Sequence, residues 1–264
     1  MFNVGLNMDK TIQQRIIDYI QRFSESLNVI DVRIGLGYTC VRLDNGNIGL
    51  AWTANSYSGS CTHMEKAGTF AGQSARELLF MLYDNHGLLL GNKNPIERSV
   101  GLATANAVAA GLPRPESTNR DVLDIINVQA SDHVVMVGFF GPLIPVLEKT
   151  GCRLDVLELR DDRPGTLSPE QGRGPLAACS VAIITGTSIV TGTLDNLLAG
   201  LGKPRAVVIL GPSTFMRPEV YAGTPVTHLA GAWIRNPSAV ERIVSQGGGT
   251  MILRQYMEFA TICL

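Results

Sequence analysis

The second half of the chain repeats one pattern: an apolar run, then a glycine or turn, then a helical segment. Apolar runs without alternation are typical of strands buried on both faces, and helices between them are typical of crossovers in a parallel sheet. The pattern therefore predicts a Rossmann-like α/β unit from residue 121 onward. The predicted strands cover residues 133–137, 154–159, 181–185, 206–210 and 226–234, and the predicted crossover helices cover 143–150, 193–201 and 238–246.

The first half predicts a different, α+β unit. Isoleucines at helical spacing follow Asp9, which we interpret as the N-cap of an opening helix. Apolar and β-branched residues at 29–36, 39–43 and 48–52 predict three strands, and Asn45-Gly46 predicts a hairpin turn between the last two. Further helices are expected from Ala75 and from Pro95, the latter with a line of small residues that indicates close packing. The segment 111–115 reads as the boundary, so we expect domains at 1–115 and 116–264.

Composition excludes several classes of protein. The 22 basic and 23 acidic residues give a net charge of −1, which disfavours general nucleic-acid binding and polybasic attachment to membranes. There is no apolar run of about 18 residues and no recognisable leader, so a soluble, unprocessed chain is expected. Five widely spaced cysteines without a C-x-x-C pair favour a reducing cytoplasm over disulfides or structural zinc. The low charged fraction, 17%, favours a homo-oligomer.

Glycines follow three of the predicted parallel strands, at Gly138, Gly186 and Gly211. Ligands of such sheets bind beyond the carboxyl ends of the strands. Glu158 lies 158 − 138 = 20 residues after Gly138, a spacing at which an acidic residue binds ribose hydroxyls. The pair predicts either a nucleotide or S-adenosylmethionine site, or simply a tight turn and a solvated strand end.

Hydroxyl side chains are concentrated between residues 185 and 193, which include Thr187 and Ser188. Together with backbone amides they form a candidate cradle for an anion or carboxylate, although Ser and Thr are also ordinary helix caps. Ser213 occupies the matching place after the next strand. The chain contains no Walker-type phosphate loop.

Four ordered motifs, at residues 101–107, 185–194, 211–214 and 227–231, resemble the family catalogued as domain of unknown function 364. The N-terminal part of that family is catalogued separately as domain of unknown function 4213. The resemblance covers nearly the whole chain and implies an enolase N-terminal-like α+β domain, a Rossmann-like domain and a site between them. It also implies small-molecule chemistry, condensation or hydrolysis of flavin-, pterin- or siderophore-like metabolites, in heavy-metal chelation, with partial likeness to methyltransferases.

The first half supplies further candidates. Cys61 and His63 are donors for a soft divalent transition metal if a distant ligand joins them, and otherwise they belong to a surface loop. Glu65 is a candidate acid or base if that loop closes over the cleft. Thr69 opens the second helix, where amides either meet an anionic ligand or form a bare cap. Asn106 either anchors a neighbouring segment or faces the cleft.

His228 is the leading candidate for a general acid or base, because it is expected to emerge at the ligand edge of the sheet; otherwise it is a satisfied core histidine. The leading hypothesis is a small-molecule enzyme or binding protein with an interdomain cleft. The alternatives are a protein that binds a transition metal directly and an S-adenosylmethionine-binding, methyltransferase-like protein.

Overall fold

The computed structural model describes residues 9–54, 66–83, 95–158 and 163–264. The part up to residue 110, called the N-terminal part, contains α1 (Ile12–Ile20), β1 (Val29–Ile34), β2 (Tyr38–Leu43), β3 (Ile48–Trp52), α2 (Ala75–Leu79) and α3 (Pro95–Ala110). Short 3-10 helices follow α1 (Gln21–Phe23) and α2 (Phe80–Leu82).

The part from residue 121, called the C-terminal part, holds the remaining elements. They are α4 (Val122–Ile126), β4 (His133–Val137), α5 (Ile144–Lys149), β5 (Arg153–Leu157), α6 (Arg173–Ala178), β6 (Val181–Thr185), α7 (Thr187–Thr191), α8 (Leu194–Ala199), β7 (Ala206–Leu210), β8 (His228–Ile234), α9 (Pro237–Ser245), α10 (Thr250–Leu253) and β9 (Met257–Cys263). Two more 3-10 helices cover Pro218–Tyr221 and Arg254–Tyr256. The predicted fold class is confirmed: a mostly parallel sheet accompanies a small antiparallel one.

The small sheet is antiparallel, in the order β1-β2-β3, and its hairpin turns at Gly46 with a φ of 86°. It packs so closely on α3 that a Cβ at Gly49 would lie 2.0 Å from the Ala103 carbonyl oxygen and 2.2 Å from Ala107 N. The predicted close packing of α3 is therefore confirmed. The opposite face, with Cys40 and Leu50, packs on α9 and α10.

The large sheet has the order β5-β4-β6-β7-β8-β9, in which the first five strands are parallel. The last strand, β9, is antiparallel to β8 and was missed by sequence reasoning. One expectation is wrong here: α9 is no parallel crossover, because it leads from β8 to the antiparallel β9 and covers the small sheet.

The opening helix begins two residues later than a cap at Asp9 would place it. Its N-cap is Thr11, whose hydroxyl accepts from Gln14 N at 3.3 Å while the Gln14 carboxamide accepts from Thr11 N at 2.9 Å. This reciprocal capping box satisfies two backbone donors, which a cap at Asp9 would leave unpaired. The N-cap predicted at Asp9 is therefore wrong.

The two parts share one hydrophobic core in the described residues. A single buried cluster includes Ile16 and Leu102 from the N-terminal part and Ile184, Ile209 and Phe215 from the C-terminal part. Polar contacts reinforce it: Arg217, 3% exposed, donates to the Ala109, Leu112 and Pro113 carbonyls at the end of α3. The guanidinium thus meets the negative end of the α3 dipole, which stabilises the junction. The division at residues 115 and 116 stays a prediction.

Candidate functional site

The strand order reverses direction at β4, which has β5 on one side and β6 on the other. The connection after β4 passes to one face, where Leu147 of α5 packs with Met136. The helix after β6 passes to the other face, where Ile189 of α7 packs with Ala182. Loops that part in this way leave a crevice between the carboxyl ends of the two strands, and ligands of this sheet type bind at that switch point. We call the space between the carboxyl ends of β4 and β6 the switch-point crevice.

Gly138 forms one wall of the switch-point crevice. Its φ is 89°, in the left-handed region that glycine adopts without strain. A Cβ here would lie 2.9 Å from both Cβ and Cγ2 of Thr185, and Gly138 N donates to the Leu157 carbonyl at 2.8 Å. Only glycine therefore lets the backbone approach the end of β6 so closely.

Two threonine hydroxyls lie on the β6 side. Thr185 and Thr187 are half-buried, and their Oγ1 atoms are 3.1 Å apart. Thr187 N also donates to Thr185 Oγ1 at 3.3 Å. Since each hydroxyl oxygen carries one donor and two acceptor sites, this pair keeps hydrogen-bonding capacity for a further group.

The other predicted hydroxyls have partners inside the fold. Ser188, 2% exposed, donates to the Thr185 carbonyl at 2.7 Å. Ser213, also 2% exposed, accepts from Trp52 N at 2.8 Å and so ties β3 to the turn after β7. The structure gives these two hydroxyls packing roles, and we leave them out of the proposed site.

Gly186 fits under the turn that follows β7. A Cβ at Gly186 would lie 2.7 Å from Thr214 N and 2.8 Å from Thr214 Oγ1, while Gly186 N donates to the Leu210 carbonyl at 2.7 Å. Gly211 adopts a φ of 114°, and its N donates to the Ala230 carbonyl at 2.9 Å. Gly186 therefore permits close packing of consecutive strand ends, and Gly211 permits a left-handed backbone turn; both are structural reasons for glycine.

Two aromatic rings border the switch-point crevice. Phe139 is 39% exposed, with the Arg163 guanidinium carbon 4.2 Å from its ring centroid. Phe140 reaches across the edge, since a Cβ at Gly211 would lie 3.8 Å from Phe140 Cε1. An exposed ring beside a hydroxyl pair offers both an apolar surface and hydrogen bonds to a planar, polar ligand.

Glu158 directly follows β5, beside the end of β4. Its N donates to the Leu167 carbonyl at 3.1 Å, and the residue is half-buried. The predicted neighbours Gly138 and Glu158 thus lie at the carboxyl ends of adjacent strands. Whether the Glu158 carboxylate binds a ribose stays a prediction.

A cavity lies where the two parts meet, with a volume of about 40 Å³. Asn106 lines it together with Pro212, Thr214 and Trp233. Asn106 also anchors β3, because its Nδ2 donates to the Leu50 carbonyl at 2.9 Å. The indole Nε1 of Trp233 is buried and has no acceptor in the described part of the chain. The cavity has room for about three water molecules and is far below the 300–1,000 Å³ of a typical ligand pocket.

His228 lies away from the carboxyl edge. It is the first residue of β8 and pairs with Val208 in the middle of β7, whereas Ala230 pairs with Leu210 at the strand end. The register also puts it on the Val208 face, opposite the face that packs on the N-terminal part. Its Nδ1 is 2.7 Å from Thr227 Oγ1, and burial lowers its pKa. The expectation that His228 emerges at the ligand edge is wrong, because His228 is the first residue of β8 and the carboxyl end of that strand lies at Ile234.

The remaining candidates divide into one on the surface and three that are not described. The expectation that Thr69 opens the second helix is wrong, because α2 begins at Ala75 and its N-cap is Ser74. Thr69 is exposed, and its hydroxyl donates to the Lys66 carbonyl at 2.8 Å in a local turn. Cys61, His63 and Glu65 lie outside the described residues.

The described residues do not offer the donor set of a resident metal ion. They contain no group of three or more His, Cys, Asp or Glu side chains that could hold one. Cys40 is buried in the core, and burial raises the pKa of its thiol to about 12, so that the thiolate form is disfavoured. In the part of the chain with described structure, no helix is long and apolar enough to cross a membrane.

Comparison with known families identifies the chain. The profile of domain of unknown function 364 matches residues 121–263, and that of domain of unknown function 4213 matches residues 16–109; both carry the description "Putative heavy-metal chelation". The chain belongs to the domain of unknown function 364 family. This confirms the resemblance of the four sequence motifs.

The chain is similar to proteins from three other organisms. An uncharacterised protein of Methanocaldococcus jannaschii is 25% identical over 229 residues, which cover 83% of each chain. A family member of unknown function from Pyrococcus horikoshii has a crystal structure with a TM-score of 0.79 at 24% identity, covering 96% of this chain and 100% of its own. One from Desulfitobacterium hafniense gives 0.78 at 24% identity, with 96% and 98% covered. These structures support the fold alone.

Proposed function

We propose that this family member binds a small, polar metabolite in the switch-point crevice, as a small-molecule enzyme or binding protein of heavy-metal chelation. The proposed ligand class is a planar pterin- or flavin-like compound or a siderophore-like chelator. The observation that carries the proposal is the contact of Gly138 with Thr185 at the point where the strand order reverses.

Three features of the crevice favour this ligand class. The Thr185 and Thr187 hydroxyls can bind oxygen or nitrogen atoms at the edge of a heterocycle. The exposed Phe139 ring offers a face for stacking against a planar ring. Arg163, which already lies over Phe139, adds positive charge that suits an electron-rich or anionic ligand.

The decisive experiment is thermal unfolding of metal-stripped protein in the presence of pterins, flavins, catechol- and hydroxamate-type chelators, nucleotides and S-adenosylmethionine. A ligand at about 100 times its dissociation constant stabilises the folded state by roughly 2.7 kcal/mol, which is readily visible as a shift in Tm. We expect the Thr187→Val variant to lose most of the shift with the active compound, since valine keeps the shape and removes the hydroxyl.

A matched control is Thr193→Val, which removes a half-buried hydroxyl outside the switch-point crevice. It should retain the ligand shift in full. A Thr187→Val protein that binds every stabilising compound as tightly as the wild type would contradict the proposed place of binding.

Condensation or hydrolysis of the ligand is part of the proposal, with Glu65 as the candidate acid or base. His228 is left out because of its position on the far face of the sheet. The test is product analysis by mass spectrometry after incubation with the compounds that bind. Turnover by wild type and not by Glu65→Gln supports an enzyme, and unchanged ligand supports a binding protein.

Two other functions stay open as alternatives. Direct binding of a transition metal rests on Cys61 and His63; the Cys61→Ala/His63→Ala protein would then lose metal measured by mass spectrometry after equilibration with Zn²⁺ or Ni²⁺. An S-adenosylmethionine site rests on Gly138 and Glu158, and a Glu158→Ala variant with unchanged affinity would contradict it. We further propose a cytoplasmic homo-oligomer, which light scattering can check.

A further inference from the structure

The cavity where the two parts meet, which we call the junction cavity, is lined by the free edges of two strands. Ile48 and Leu50 come from β3, which is the last strand of the small sheet. Ala232 and Ile234 come from the end of β8, beyond Ala230, the last residue of β8 that pairs with β7. In the described part of the chain, no strand therefore covers either edge at this place.

The outer edge of β3 presents backbone groups to the junction cavity. Leu43 N donates to the Asn47 carbonyl, so the alternation of an antiparallel pair turns the N–H and C=O groups of Ile48 and Leu50 away from β2. Asn106, which also lines the cavity, confirms this direction, because its Nδ2 donates to the Leu50 carbonyl at 2.9 Å. Within residues 9–54, 66–83, 95–158 and 163–264, the N–H of Leu50 has no acceptor.

The end of β8 presents the same kind of groups. Arg235 N donates to the Tyr256 carbonyl, and the alternation from that pair turns the backbone groups of Ala232 and Ile234 away from β9. The partner on that side would be β7, whose last pairing is with Ala230. The N–H and C=O groups of Ala232 therefore have no hydrogen-bond partner among the residues that the structure describes.

Two side chains add polar groups to the lining. Trp233 is 9% exposed, and its buried Nε1 has no acceptor in the described ranges. Asn106 uses Nδ2 for the Leu50 carbonyl, which leaves its Oδ1 as an acceptor. Buried polar groups in proteins are paired either with other protein groups or with ordered water. The groups in this lining lack a protein partner, so they favour a ligand that both donates and accepts hydrogen bonds.

The volume of the junction cavity selects water as that ligand. One buried water molecule needs roughly 10–15 Å³, whereas organic ligands occupy pockets of roughly 300–1,000 Å³. The junction cavity has a volume of about 40 Å³. Cavities that stay dry are lined by apolar groups, and this one presents N–H and C=O groups from both of its strands.

We propose that the junction cavity binds about two or three ordered water molecules, which bridge the outer edge of β3 to the end of β8. The water accepts hydrogen bonds from Leu50 N and Trp233 Nε1. It donates hydrogen bonds to the Ala232 carbonyl and Asn106 Oδ1. The two sheets, which share no strand pairing in the described residues, are thus joined through water. This site is separate from the switch-point crevice and does not depend on the proposed function.

The first test is transfer of magnetisation from water to N–H groups, measured by NMR on the full-length wild-type protein labelled with ¹⁵N. Water held in place gives NOE and ROE cross-peaks of opposite sign, whereas proton exchange with bulk water gives cross-peaks of the same sign. We expect opposite signs for the amides of Leu50 and Ala232 and for the Trp233 indole. The amide of Val41, which bonds to Gly49 within the small sheet, is the control and should show no such cross-peak.

The second test is a high-resolution crystal structure of the wild type and of two variants. Trp233→Phe removes the indole donor and keeps an aromatic ring, so the water at Nε1 should be lost while the water at Leu50 N remains. Trp52→Phe removes the other of the chain's two indoles and should leave every water molecule of the cavity in place.

Three results overturn the proposal. The first is a wild-type cavity with neither the cross-peaks nor electron density for water. The second is a cavity that contains a co-purified organic compound instead of water. The third is an equal change of the water positions in Trp233→Phe and Trp52→Phe. Because the wild-type measurements need no substitution, they decide the matter even if Trp233→Phe does not fold.

Discussion

The two edges of the large sheet differ in how far their polar side chains are satisfied. At the amino edge, Asp132 is 6% exposed and accepts from Ser180 Oγ at 2.7 Å, from Gln129 N at 2.8 Å and from Arg205 Nε at 3.0 Å. At the carboxyl edge, the Thr185 and Thr187 hydroxyls bond mainly to each other, and Phe139 is exposed.

This difference separates stability from function. The amino edge contains a serine, a histidine and acidic residues, the types that suggest catalysis, yet Ser180 Oγ donates to Asp132 and His133 Nε2 lies 2.7 Å from Asp155. Each group already has a partner that fixes a strand end. The carboxyl edge has fewer reactive side chains, but they keep capacity for a ligand. We therefore base the proposed site on unused hydrogen-bonding capacity rather than on residue type.

The largest expected effect is at the amino edge. Asp132→Ala should lower the free energy of unfolding by about 3 kcal/mol, because it leaves Arg205, Ser180 and Gln129 N without their acceptor. The measurement is urea unfolding at pH 7. Asp31→Ala is the matched control, since Asp31 pairs with Arg33 at 2.5 Å on the surface and should cost less than about 1 kcal/mol.

The acid dependence offers a second check on the same edge. Hydrogen bonds from Arg205 hold the pKa of Asp132 well below its usual range. The resulting stability is present above the unfolded value of about 4 and is lost as the pH falls towards the folded value. In the Asp132→Asn variant, the free energy of unfolding should fall less steeply as the pH is lowered through this range. If Asp132→Ala and Asp31→Ala lowered the free energy of unfolding equally, the hydrogen bonds of Asp132 would not stabilise the amino edge.

An intermediate effect is expected at the carboxyl edge. Gly138→Ala should destabilise the protein by about 2 kcal/mol more than Gly46→Ala, as measured by urea unfolding. Both glycines have nearly the same φ, 89° and 86°, but a Cβ at Gly46 meets nothing within 4 Å. The difference therefore isolates the contact with Thr185. If both variants lost the same free energy of unfolding, the contact between Gly138 and Thr185 would be less close than the structure shows.

The smallest expected effect on stability concerns His228, which lies between the amino and carboxyl edges of the large sheet. Burial lowers its pKa, so below about pH 6.5 the unfolded chain takes up a proton that the folded protein does not. Wild type should lose less than about 1 kcal/mol of stability as the pH falls through this range, since His228 is partly exposed. His228→Gln should lack that loss in thermal unfolding across pH. An identical pH profile for both proteins would place the titration elsewhere.

Much of the fold could be predicted from local pattern, and the misses have physical causes. Buried strands such as β6 and β7 were placed to the residue because their apolar runs end at turn-forming glycines. No helix was predicted at residues 187–191, because the hydroxyls there suggested a ligand cradle. In the structure, Thr187 N and the Ser188 hydroxyl donate to Thr185 at the end of β6, and the segment forms the short helix α7. The antiparallel β9 was missed because buried and exposed residues do not alternate along Met257–Cys263.

The candidate site was predictable only in outline. Gly138 and Thr187 could be placed at one edge of the sheet, because parallel strands bring their carboxyl ends together. The roles of Ser188 and Ser213 were invisible, because both depend on which backbone groups lie opposite.

By itself, the sequence determined the family, the two kinds of sheet and the edge at which a ligand is expected, since periodicity and glycine placement are local properties of the chain. The tertiary structure alone decided which polar groups are satisfied. Hydrogen-bond partners such as Asp132 and Arg205 are far apart in sequence and meet only when the strands are ordered. The same ordering sets His228 away from the carboxyl edge of the sheet.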